Sequence, residues 1–378
     1  MKIVIAPDSF KESVSAERVC AAVKKGIEQR IPNVDIVSVP MADGGEGTLD
    51  ALLATMGGER VECVVMGPLP DSQVKAQFVM LGDGETAVIE MAQASGIELL
   101  TPQQRDPRIT TTYGTGELIK AALDKGAKKL IVAIGGSATN DGGEGMVRAL
   151  GARFLDKKGY DIGHGGAELI NLTTIDISGL DPRLSDAQVV VACDVDNPLL
   201  GERGASAVFG PQKGATPEIV SQLDKALSHY AHCLVQELGK NVAKIPGSGA
   251  AGGLGAGLMA FLGAQLQPGI EIVSSTVGLR DKLTGADWVI TGEGKLDGQS
   301  LGGKTPVGVA KLAQQMGIPV IALGGAMGEG ADKLNEVGIV ACFSVLSRPC
   351  TLETALTEGE ANLTATAYQV AGLLSTLS

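Results

Sequence analysis

Segments that carry acids, several of them rich in glycine, recur along the chain, and each follows a short run of apolar residues. Magnesium prefers oxygen ligands and keeps several of its waters, so one or two carboxylates are enough to hold it. Another carboxylate can orient and deprotonate an attacking hydroxyl group. Acids beside glycine-rich anion seats, with few histidines, therefore suit phosphoryl transfer, which depends on positioning and charge neutralisation. The candidate acids are Asp8, Asp43, Asp141, Asp194, Asp196, Glu293 and Asp297.

These acid-bearing segments lie where strands are predicted to end. In open α/β sheets ligands bind beyond the carboxyl ends of the strands, so we expect the segments to line an active-site crevice. Strand ends also need turn residues, which explains the glycines but not the repeated Asp, Asn, Ser and Lys. Three acids have structural alternatives, because Asp43 and Asp141 could be helix N-caps and Asp297 could serve a turn. The segments are 7–13, 43–48, 135–143, 194–198 and 292–297.

Residues 298–305, GQSLGGKT, match the phosphate-loop pattern GxxxxGK[ST]. A phosphate loop leaves its strand at once and enters a helix at the Lys-Thr pair. The predicted strand ends near Thr291, well before Gly298, so the strand half of the pattern fails. Pro306 is tolerated in a first helical turn, so the helix half holds. We therefore disfavour a phosphate-loop fold and keep Lys304, at a helix start, as a candidate phosphate contact.

Residues 247–252, GSGAAG, match the dinucleotide-binding pattern GxGxxG. The preceding strand candidate, Val242–Ile245, is very short and is followed by Pro246, so a nicotinamide site is disfavoured. Two interpretations of the run stay open. It could bare N–H groups for a phosphate at the start of a helix predicted over Leu254–Leu266, or it could be a small-residue segment packed closely on a neighbour. The candidate nucleotide-binding glycines are Gly249, Gly252, Gly253 and Gly255.

The elements that must position these residues alternate between apolar strands and amphipathic helices. That rhythm predicts mainly parallel sheets covered on both faces. Strands are predicted at Ile3–Ala6, Asp35–Val39, Leu130–Ile134, Val189–Cys193, Trp288–Thr291, Val320–Leu323 and Ile339–Val345. Helices are predicted at Ala16–Arg30, Gly116–Lys125, Pro217–Leu238, Gly308–Met316 and Leu352–Leu374.

One stretch breaks this rhythm. The runs Val61–Val65, Val74–Met80 and Ala87–Met91 follow each other through turn residues, which predicts an antiparallel meander. A hairpin-like segment is predicted at Arg153–Gly166. At 378 residues the chain is long enough for two domains. We therefore predict a discontinuous α/β domain, 1–67 with 268–378, and an inserted second α/β domain, 68–267, that carries the meander.

Composition excludes several classes of function. A formal net charge of -12 argues against a nucleic-acid partner. No apolar run is long enough to span a membrane, and the N-terminus lacks the features of a signal peptide. The six cysteines form no CxxC pair, which predicts reduced thiols and a cytoplasmic protein. No GxSxG elbow occurs, which disfavours an α/β-hydrolase. His229 and His232 lie three apart on a predicted helix without a cluster of acids or cysteines, which favours a solvated helix face, and His164 is predicted in a loop.

Seven motifs in order along nearly the whole chain resemble the bacterial type I glycerate kinase family. They are APDSFKES (6–13), ADGGEGT (42–48), GGSATNDGG (135–143), CDVDNPLLG (193–201), FGPQKGA (209–215), GAAGGLGAG (249–257) and TGEGKLDGQSLGGKTPVGVA (291–310). The resemblance implies a kinase that uses Mg·ATP to convert D-glycerate to 2-phosphoglycerate. It also implies two intertwined α/β/α domains with the active site in the cleft between them.

Roles for single residues are hypotheses within that resemblance. Asp194 or Asp196 would orient and deprotonate the substrate hydroxyl, and Lys11 and Lys213 would hold the glycerate carboxylate or ATP phosphates; both lysines could instead be solvated surface residues. Other kinases or phosphatases of small hydroxy acids, or a non-catalytic sensor of phosphorylated metabolites, are the alternatives. The oligomeric state is left open, a homo-oligomer included. The remaining substrate candidates are Asp8, Ser9, Ser137, Thr139 and Asn140, and the metal candidates are Asp43, Asp141, Glu293 and Asp297.

Overall fold

The computed structural model describes residues 1–45 and 47–376. Within these ranges the strands are β1 (Lys2–Ile5), β2 (Asp35–Ser38), β3 (Gly58–Met66), β4 (Gln73–Leu81), β5 (Thr86–Glu90), β6 (Lys129–Ala133), β7 (Arg153–Leu155), β8 (Thr174–Asp176), β9 (Gln188–Ala192), β10 (Gln265–Gln267), β11 (Trp288–Leu296), β12 (Val320–Met327) and β13 (Ile339–Ser344). The α-helices are α1 (Ala16–Glu28), α2 (Thr48–Met56), α3 (Ala92–Ser95), α4 (Tyr113–Asp124), α5 (Glu144–Ala149), α6 (Ala205–Phe209), α7 (Pro217–Leu238), α8 (Ala250–Leu262), α9 (Gly269–Thr276), α10 (Leu279–Leu283), α11 (Thr305–Gln315), α12 (Leu352–Thr357) and α13 (Gly359–Leu374).

The described chain forms two compact units. The first comprises Met1–Gly57 and the segment from Pro268 onward, and the second comprises Gly58–Gln267. The first division therefore falls after Gly57 and not after residue 67. Strand β3 explains the difference, because it pairs along its whole length with β4 and so belongs to the second unit.

The first unit is built on a five-stranded sheet in the order β13-β12-β11-β1-β2. Every neighbouring pair in it is parallel. Ile3, Val4 and Ile5 of β1 are completely buried, as expected for a central strand covered on both faces. Helix α1 begins at the N-cap Ser15 and packs against α13. This packing is close because Gly26 has no side chain: a Cβ there would lie 2.3 Å from the carbonyl oxygen of Thr364.

The second unit is built on a six-stranded sheet in the order β10-β9-β6-β5-β4-β3. Strands β10, β9, β6 and β5 are parallel, whereas β4 and β3 run antiparallel and form the predicted meander. Strands β7 and β8 make a separate antiparallel pair. A single apolar core contains Phe78, Ile89, Val132, Val191 and Tyr230. The predicted mixed α/β class with mainly parallel sheets is confirmed.

The structure corrects several predicted elements: the helix predicted at Leu352–Leu374 is divided into α12 and α13, and the strand candidate Val242–Ile245 is not a strand. Strand β11 continues past Thr291 to Leu296, through two glycines that sequence patterns treat as breaks. Helix α8 ends at Leu262, before the left-handed Gly263, and the residues predicted as its last turn form β10. The hairpin predicted at Arg153–Gly166 is reduced to a short turn with an isolated bridge between Leu155 and Asp161 and two flanking backbone hydrogen bonds, and β7 pairs as a strand with the later β8.

None of the helices within 1–45 and 47–376 combines the length and the apolar character that a membrane crossing requires.

Candidate active site

In the first unit, Asp8 lies just beyond the end of β1. Its amide donates to the carbonyl oxygen of Gly292 on the neighbouring β11, at 2.8 Å. One carboxylate oxygen accepts a 2.6 Å hydrogen bond from the hydroxyl of Thr305, and the other accepts one from the amide of Ser9. Only 7% of Asp8 is exposed. Burial, and next the charge of Asp43, raises the pKa of Asp8 to about 6 despite these hydrogen bonds.

Glu293 projects from the carboxyl half of β11 and is also buried. The hydroxyl of Ser300 donates a short hydrogen bond to Oε1, and Nζ of Lys304 lies 3.6 Å from Oε2. Burial raises the pKa of Glu293, and the charge of Asp43 adds to that rise, while Ser300 and Lys304 oppose it. The charge of Asp43 therefore raises the pKa of both Asp8 and Glu293.

Asp43 is half-buried in the loop after β2. Its Oδ1 accepts a hydrogen bond of 3.1 Å from the amide of Gly45, so it closes a local turn. Its backbone is covered by Gly269, where a Cβ would lie only 1.9 Å from the carbonyl oxygen of Asp43. Asp8, Asp43 and Glu293 thus form one acidic group, which we call the first-unit acids. Glu46 of the same sequence motif lies outside the described residues.

Asp297 has the turn role that its sequence position allowed. It caps the 3₁₀ turn Gly298–Gly302, where its Oδ1 accepts a 2.9 Å hydrogen bond from the amide of Gln299. Its other oxygen lies 2.8 Å from Nζ of Lys295. The hydrogen bond from Lys295 is the main cause that lowers the pKa of Asp297 below its usual range. This carboxylate is already engaged within its own loop.

Lys11 and Ser9 occupy the loop that follows Asp8. Phe10 and Val14 close that loop with two backbone hydrogen bonds of 2.8 Å each, which leaves Lys11 exposed at its tip. The loop runs beside β11, since a Cβ built at Gly294 would be in ordinary van der Waals contact with the amide nitrogen of Lys11, at 3.6 Å. The structure therefore places Lys11 and Ser9 in the same unit as the first-unit acids.

In the second unit, Lys213 is a deeply buried cation among the candidate residues. It is 1% exposed, in a 3₁₀ turn formed by Pro211–Lys213. Its Nζ donates to the hydroxyl oxygen of Ser137 at 2.7 Å and to the carbonyl oxygen of Thr139 at 2.6 Å. Burial lowers the pKa of Lys213 from 10.5 to about 7, and the charge of Asp141 opposes that fall only in part. The interpretation of Lys213 as a solvated surface lysine is therefore wrong.

The segment between β6 and α5 surrounds this ammonium group with polar side chains. Thr139 and Asn140 are completely buried. The hydroxyl of Thr139 and Oδ1 of Asn140 have no hydrogen-bond partner, whereas the amide nitrogen of Asn140 donates to Ser206 at 3.0 Å. A buried polar atom without a partner costs free energy, so two such atoms beside a lysine favour a site that a polar ligand completes.

Asp141 does not fit a metal site. It is completely buried, and its oxygens accept hydrogen bonds from the amide and hydroxyl of Thr112 and from the amides of Gly143 and Gly145. Burial nevertheless raises its pKa. Three of these four donors bind Oδ2 and one binds Oδ1, so Asp141 holds the loop and the start of α5 together, close to the capping role that the sequence allowed.

Asp194 and Asp196 follow β9 and are both exposed. Oδ1 of Asp196 pairs with the guanidinium of Arg203 at 2.8 Å, with most of both side chains in solvent. The two acids are therefore near neighbours at one strand end, as predicted. They belong to the second unit, whereas Lys11, the third predicted catalytic residue, belongs to the first.

The four glycines predicted to seat a nucleotide are packed against backbone. A Cβ would lie 2.2 Å from the carbonyl oxygen of Pro198 at Gly249, and 1.9 Å from that of Thr139 at Gly252. Gly253 and Gly255 are crowded by Gly142 and Gly247 in the same way. The dihedral angles at residues 251–253 are left-handed, so regular helix begins only at residue 254. Close packing, the second interpretation left open by the sequence, is what these glycines do.

Four residues near the candidates were missed by sequence reasoning. Thr305 and Ser300 bind Asp8 and Glu293, and Ser206 binds Asn140. Glu144 is completely buried beside Arg148, and burial raises its pKa to about 8. Thr305 and Ser300 lie within the GQSLGGKT pattern, so that pattern was the available signal. Nothing local in the sequence marks Ser206 or Glu144.

A magnesium ion carried by phosphates would suit the first-unit acids. No group of three or more His, Cys, Asp or Glu side chains within 1–45 and 47–376 is arranged to hold a metal ion by itself. Mg²⁺ that arrives with phosphates and water needs only one or two carboxylates. Asp8, Asp43 and Glu293 offer the oxygen donors that this ion prefers, whereas Asp141 and Asp297 have committed theirs.

The chain is an α/β protein of two units, and each unit has buried charged groups at or beyond the carboxyl ends of its parallel strands. This arrangement is typical of enzymes that transfer or bind phosphate groups of small molecules. A sequence profile described as the glycerate kinase family matches residues 3–375. The chain belongs to the glycerate kinase family, as the motifs predicted.

Individual relatives agree with that assignment. A glycerate kinase of Haemophilus influenzae is 52% identical over 375 residues, which cover 99% of both chains. A glycerate 2-kinase of Escherichia coli is 50% identical over 99% of this chain and 98% of its own. A crystal structure of a candidate glycerate kinase 2 from Salmonella typhimurium has a TM-score of 0.92 and 52% identity, over 100% of this chain and 98% of that one.

Proposed function

We propose that this chain transfers the γ-phosphoryl group of ATP to the C2 hydroxyl of D-glycerate and so produces 2-phosphoglycerate and ADP. The observation that carries the proposal is the family match along residues 3–375, together with a relative named glycerate 2-kinase at 50% identity. The structure adds a buried lysine surrounded by polar groups without partners, which suits a small hydroxy acid.

The second unit would bind the hydroxy acid. Lys213 has three N–H donors and uses two of them on Ser137 and Thr139, so one remains for a carboxylate oxygen. The unpartnered hydroxyl of Thr139 can donate to the same carboxylate, and Oδ1 of Asn140 can accept from a substrate hydroxyl. These groups together match a carboxylate next to a hydroxyl group.

Asp194 is our choice for the group that accepts the hydroxyl proton. Both acids follow β9 at the carboxyl edge of the second sheet, and Asp194 is the nearer of the two to the end of the strand. In the reaction the substrate oxygen attacks the γ-phosphorus, its proton passes to the carboxylate of Asp194, and the bond from the γ-phosphorus to the ADP oxygen breaks. The products are 2-phosphoglycerate and ADP, and the proton from the substrate hydroxyl is then on Asp194.

The first unit would serve the nucleotide. Asp43 and Glu293 would hold Mg²⁺, which supplies charge neutralisation to the phosphates when it is bound. Lys304 would contact a phosphate, while Lys11 and Ser9 would reach either phosphate or the hydroxy acid. The predicted placement of the active site in an inter-domain cleft stays a prediction. So does the cytoplasmic location, which the six free cysteines favour.

A coupled assay of ADP release tests the reaction directly. D-glycerate, L-glycerate and glycolate would be offered with and without Mg²⁺, and the phosphorylated carbon would be assigned by ³¹P–¹H NMR. We expect turnover with D-glycerate that depends on Mg²⁺ and gives the 2-phosphate. No turnover with any hydroxy acid, together with tight binding of a phosphorylated compound, would contradict the proposal and favour a sensor.

The choice of base is tested by a matched pair of variants. Asp194→Asn should lower kcat by roughly 10²–10⁴ with the circular dichroism spectrum unchanged, because general-base catalysis contributes that much. Asp196→Asn, two residues away on the same segment, removes an exposed ion pair and should cost far less. Equal losses in the two variants would remove Asp194 from this role.

A further inference from the structure

The GQSLGGKT segment of the first unit has the strand–loop–helix order of a phosphate loop, contrary to the prediction from the sequence. Strand β11 runs to Leu296, so only Asp297 separates the strand from Gly298. Lys304 is the N-cap of α11, a helix of 11 residues, and Thr305 is its first residue. The reason for rejecting a phosphate-loop arrangement, a strand that ends near Thr291, is therefore wrong.

The glycines of this loop face open space. A Cβ built at Gly302 or Gly303 would meet no atom within 4 Å, and Gly303 has a φ of 100° that favours glycine. At Gly252 and Gly253 of the second unit, by contrast, a Cβ would run into backbone at 1.9 and 2.9 Å. Of the two glycine-rich segments, only 302–303 leaves room beside its backbone for a phosphate group.

The partners of the loop are those that a metal-bound phosphate requires. Strands β1 and β11 are adjacent and parallel, with Ile5 opposite Ile290. An acid at the end of β1, Asp8, therefore reaches the hydroxyl of Thr305 at 2.6 Å. In phosphate-loop enzymes the Ser or Thr after the lysine and an acid from a neighbouring strand hold Mg²⁺, while the lysine contacts the β- and γ-phosphates.

The charges around the loop are unbalanced. Asp8 and Glu293 are 7% and 8% exposed, and both lie within the electrostatic reach of Asp43. Among the described residues, Lys304 is the cation that faces these acids. Its Nζ lies 3.6 Å from Oε2 of Glu293, which is too far for a hydrogen bond. Within the described residues, these three carboxylates face Lys304, which favours a divalent cation, and a phosphate chain would give Lys304 a closer partner.

We propose that the turn from Gly302 to Thr305 binds the β- and γ-phosphates of Mg·ATP, with Lys304 on the phosphates and with Thr305 and Asp8 as the protein groups that hold the metal. This inference rests on the proposed function in one respect, that ATP is the phosphoryl donor. It moves Asp8 from the hydroxy acid to the metal, and it assigns the metal to Asp8 and Thr305 in place of Asp43 and Glu293. It also moves the phosphate seat from the glycines of the second unit to those of the first.

Calorimetric titration with ATP tests the role of Lys304 without turnover. Lys304→Gln should weaken Mg·ATP binding at least tenfold, since it removes a charged contact to phosphate. Lys295→Gln is the matched control, because that lysine is exposed on the same strand–loop segment and its described partner is Asp297. Its affinity should stay within about twofold of the unchanged chain. Equal affinities in the two variants would overturn the proposal.

The metal role of Thr305 has its own readout. We would measure the ratio of ATP affinities with Mg²⁺ and with EDTA. Thr305→Ala should shrink this ratio, and Thr305→Ser, which keeps the hydroxyl, should restore it. A ratio that is unchanged in Thr305→Ala, or not restored in Thr305→Ser, removes Thr305 and Asp8 from the metal site.

The two proposals fail separately. If the chain phosphorylates D-glycerate while Lys304→Gln keeps full affinity for Mg·ATP, only the placement of the nucleotide is wrong. If Lys304→Gln loses affinity for Mg·ATP but the unchanged chain phosphorylates no hydroxy acid, the nucleotide site stands and the proposed function is wrong.

Discussion

The buried Lys213 should make the protein less stable at neutral pH than it would be with an apolar side chain there. The pKa of Lys213 is about 7 in the folded chain against 10.5 for an unperturbed lysine, so full protonation opposes folding by about 5 kcal/mol. The sign follows from linkage. Because the folded pKa is depressed, the stability is complete above pH 10.5 and is lost as pH falls through 7.

Lys213→Met removes this titration while nearly conserving volume. Between about pH 6 and pH 9 the unfolded chain holds this proton and the folded chain releases it, so the free energy of unfolding of the unchanged protein should gain about 2–3 kcal/mol relative to Lys213→Met. The variant loses the hydrogen bonds to Ser137 and Thr139, but that loss does not depend on pH. The free energy of unfolding of Lys213→Met relative to the unchanged protein should therefore be highest at acidic pH.

The assay is urea denaturation followed by circular dichroism at four pH values, with both proteins measured in the same buffers. Other titrating groups, such as the buried Glu144, contribute equally to both proteins and cancel in the difference. Lys213→Met should also lose glycerate binding, while Lys240→Met, an exposed lysine, controls for the loss of charge. Parallel stability curves for Lys213→Met and the unchanged protein would refute the reasoning, because they would mean that Lys213 keeps its proton in the folded chain.

Three further predictions follow from burial. Gly252→Ala, with φ at 67° and a Cβ 1.9 Å from a carbonyl oxygen, should lower the melting temperature far more than Gly317→Ala, whose φ is 71° in open space; similar losses would contradict the packing. The raised pKa of Glu144, about 8, gives stability that is present below pH 4.5 and is lost as pH rises through 8, so Glu144→Gln should flatten that loss in urea denaturation; an unchanged slope would contradict it. At pH 8 iodoacetamide should modify the exposed Cys350 and spare Cys20, whose pKa burial raises to about 12, and peptide mass spectrometry would reveal a modified Cys20 if this is wrong.

The parallel strands were predictable because they are continuous apolar runs. Strands β1, β6 and β9 each fall within a residue or two of the predicted position, and helix α7 has the predicted ends. Strand β11 was cut short because Gly292 and Gly294 carry no side chain that signals a strand. Those glycines stay in the sheet since a larger residue would clash: a Cβ at Gly292 would lie 2.4 Å from the carbonyl oxygen of Leu323.

The candidate site was predictable as a set of loops but not as a set of contacts. Segments after β1, β6, β9 and β11 carry the polar residues, as expected for the carboxyl ends of parallel strands. Which glycine-rich run is open and which is packed depends on tertiary neighbours, and the sequence patterns at 247–252 and 298–305 look equally plausible. Lys213 illustrates the same limit, because a lysine beside glycine and glutamine gives no sign that it is completely buried.

The signs of the buried charges divide the chemistry between the two units. The second unit buries the cation Lys213, and the charge of the nearby Asp141 offsets the effect of burial on its pKa only in part. Among the described residues of the first unit, Asp8 and Glu293 are buried with Asp43 close by, and Lys304 is the cation that acts on Glu293. A buried charge without a compensating partner lowers the stability of the folded protein. Such charges occur at functional sites, where a ligand of opposite charge compensates them. An anionic hydroxy acid would compensate the positive charge of Lys213, and a nucleotide with bound Mg²⁺ would compensate the negative charge of the first-unit acids. Exchanging the charges, with Lys213→Glu in one unit or Glu293→Lys in the other, should therefore abolish binding of one substrate each, and calorimetry that found both substrates lost in either variant would contradict this division.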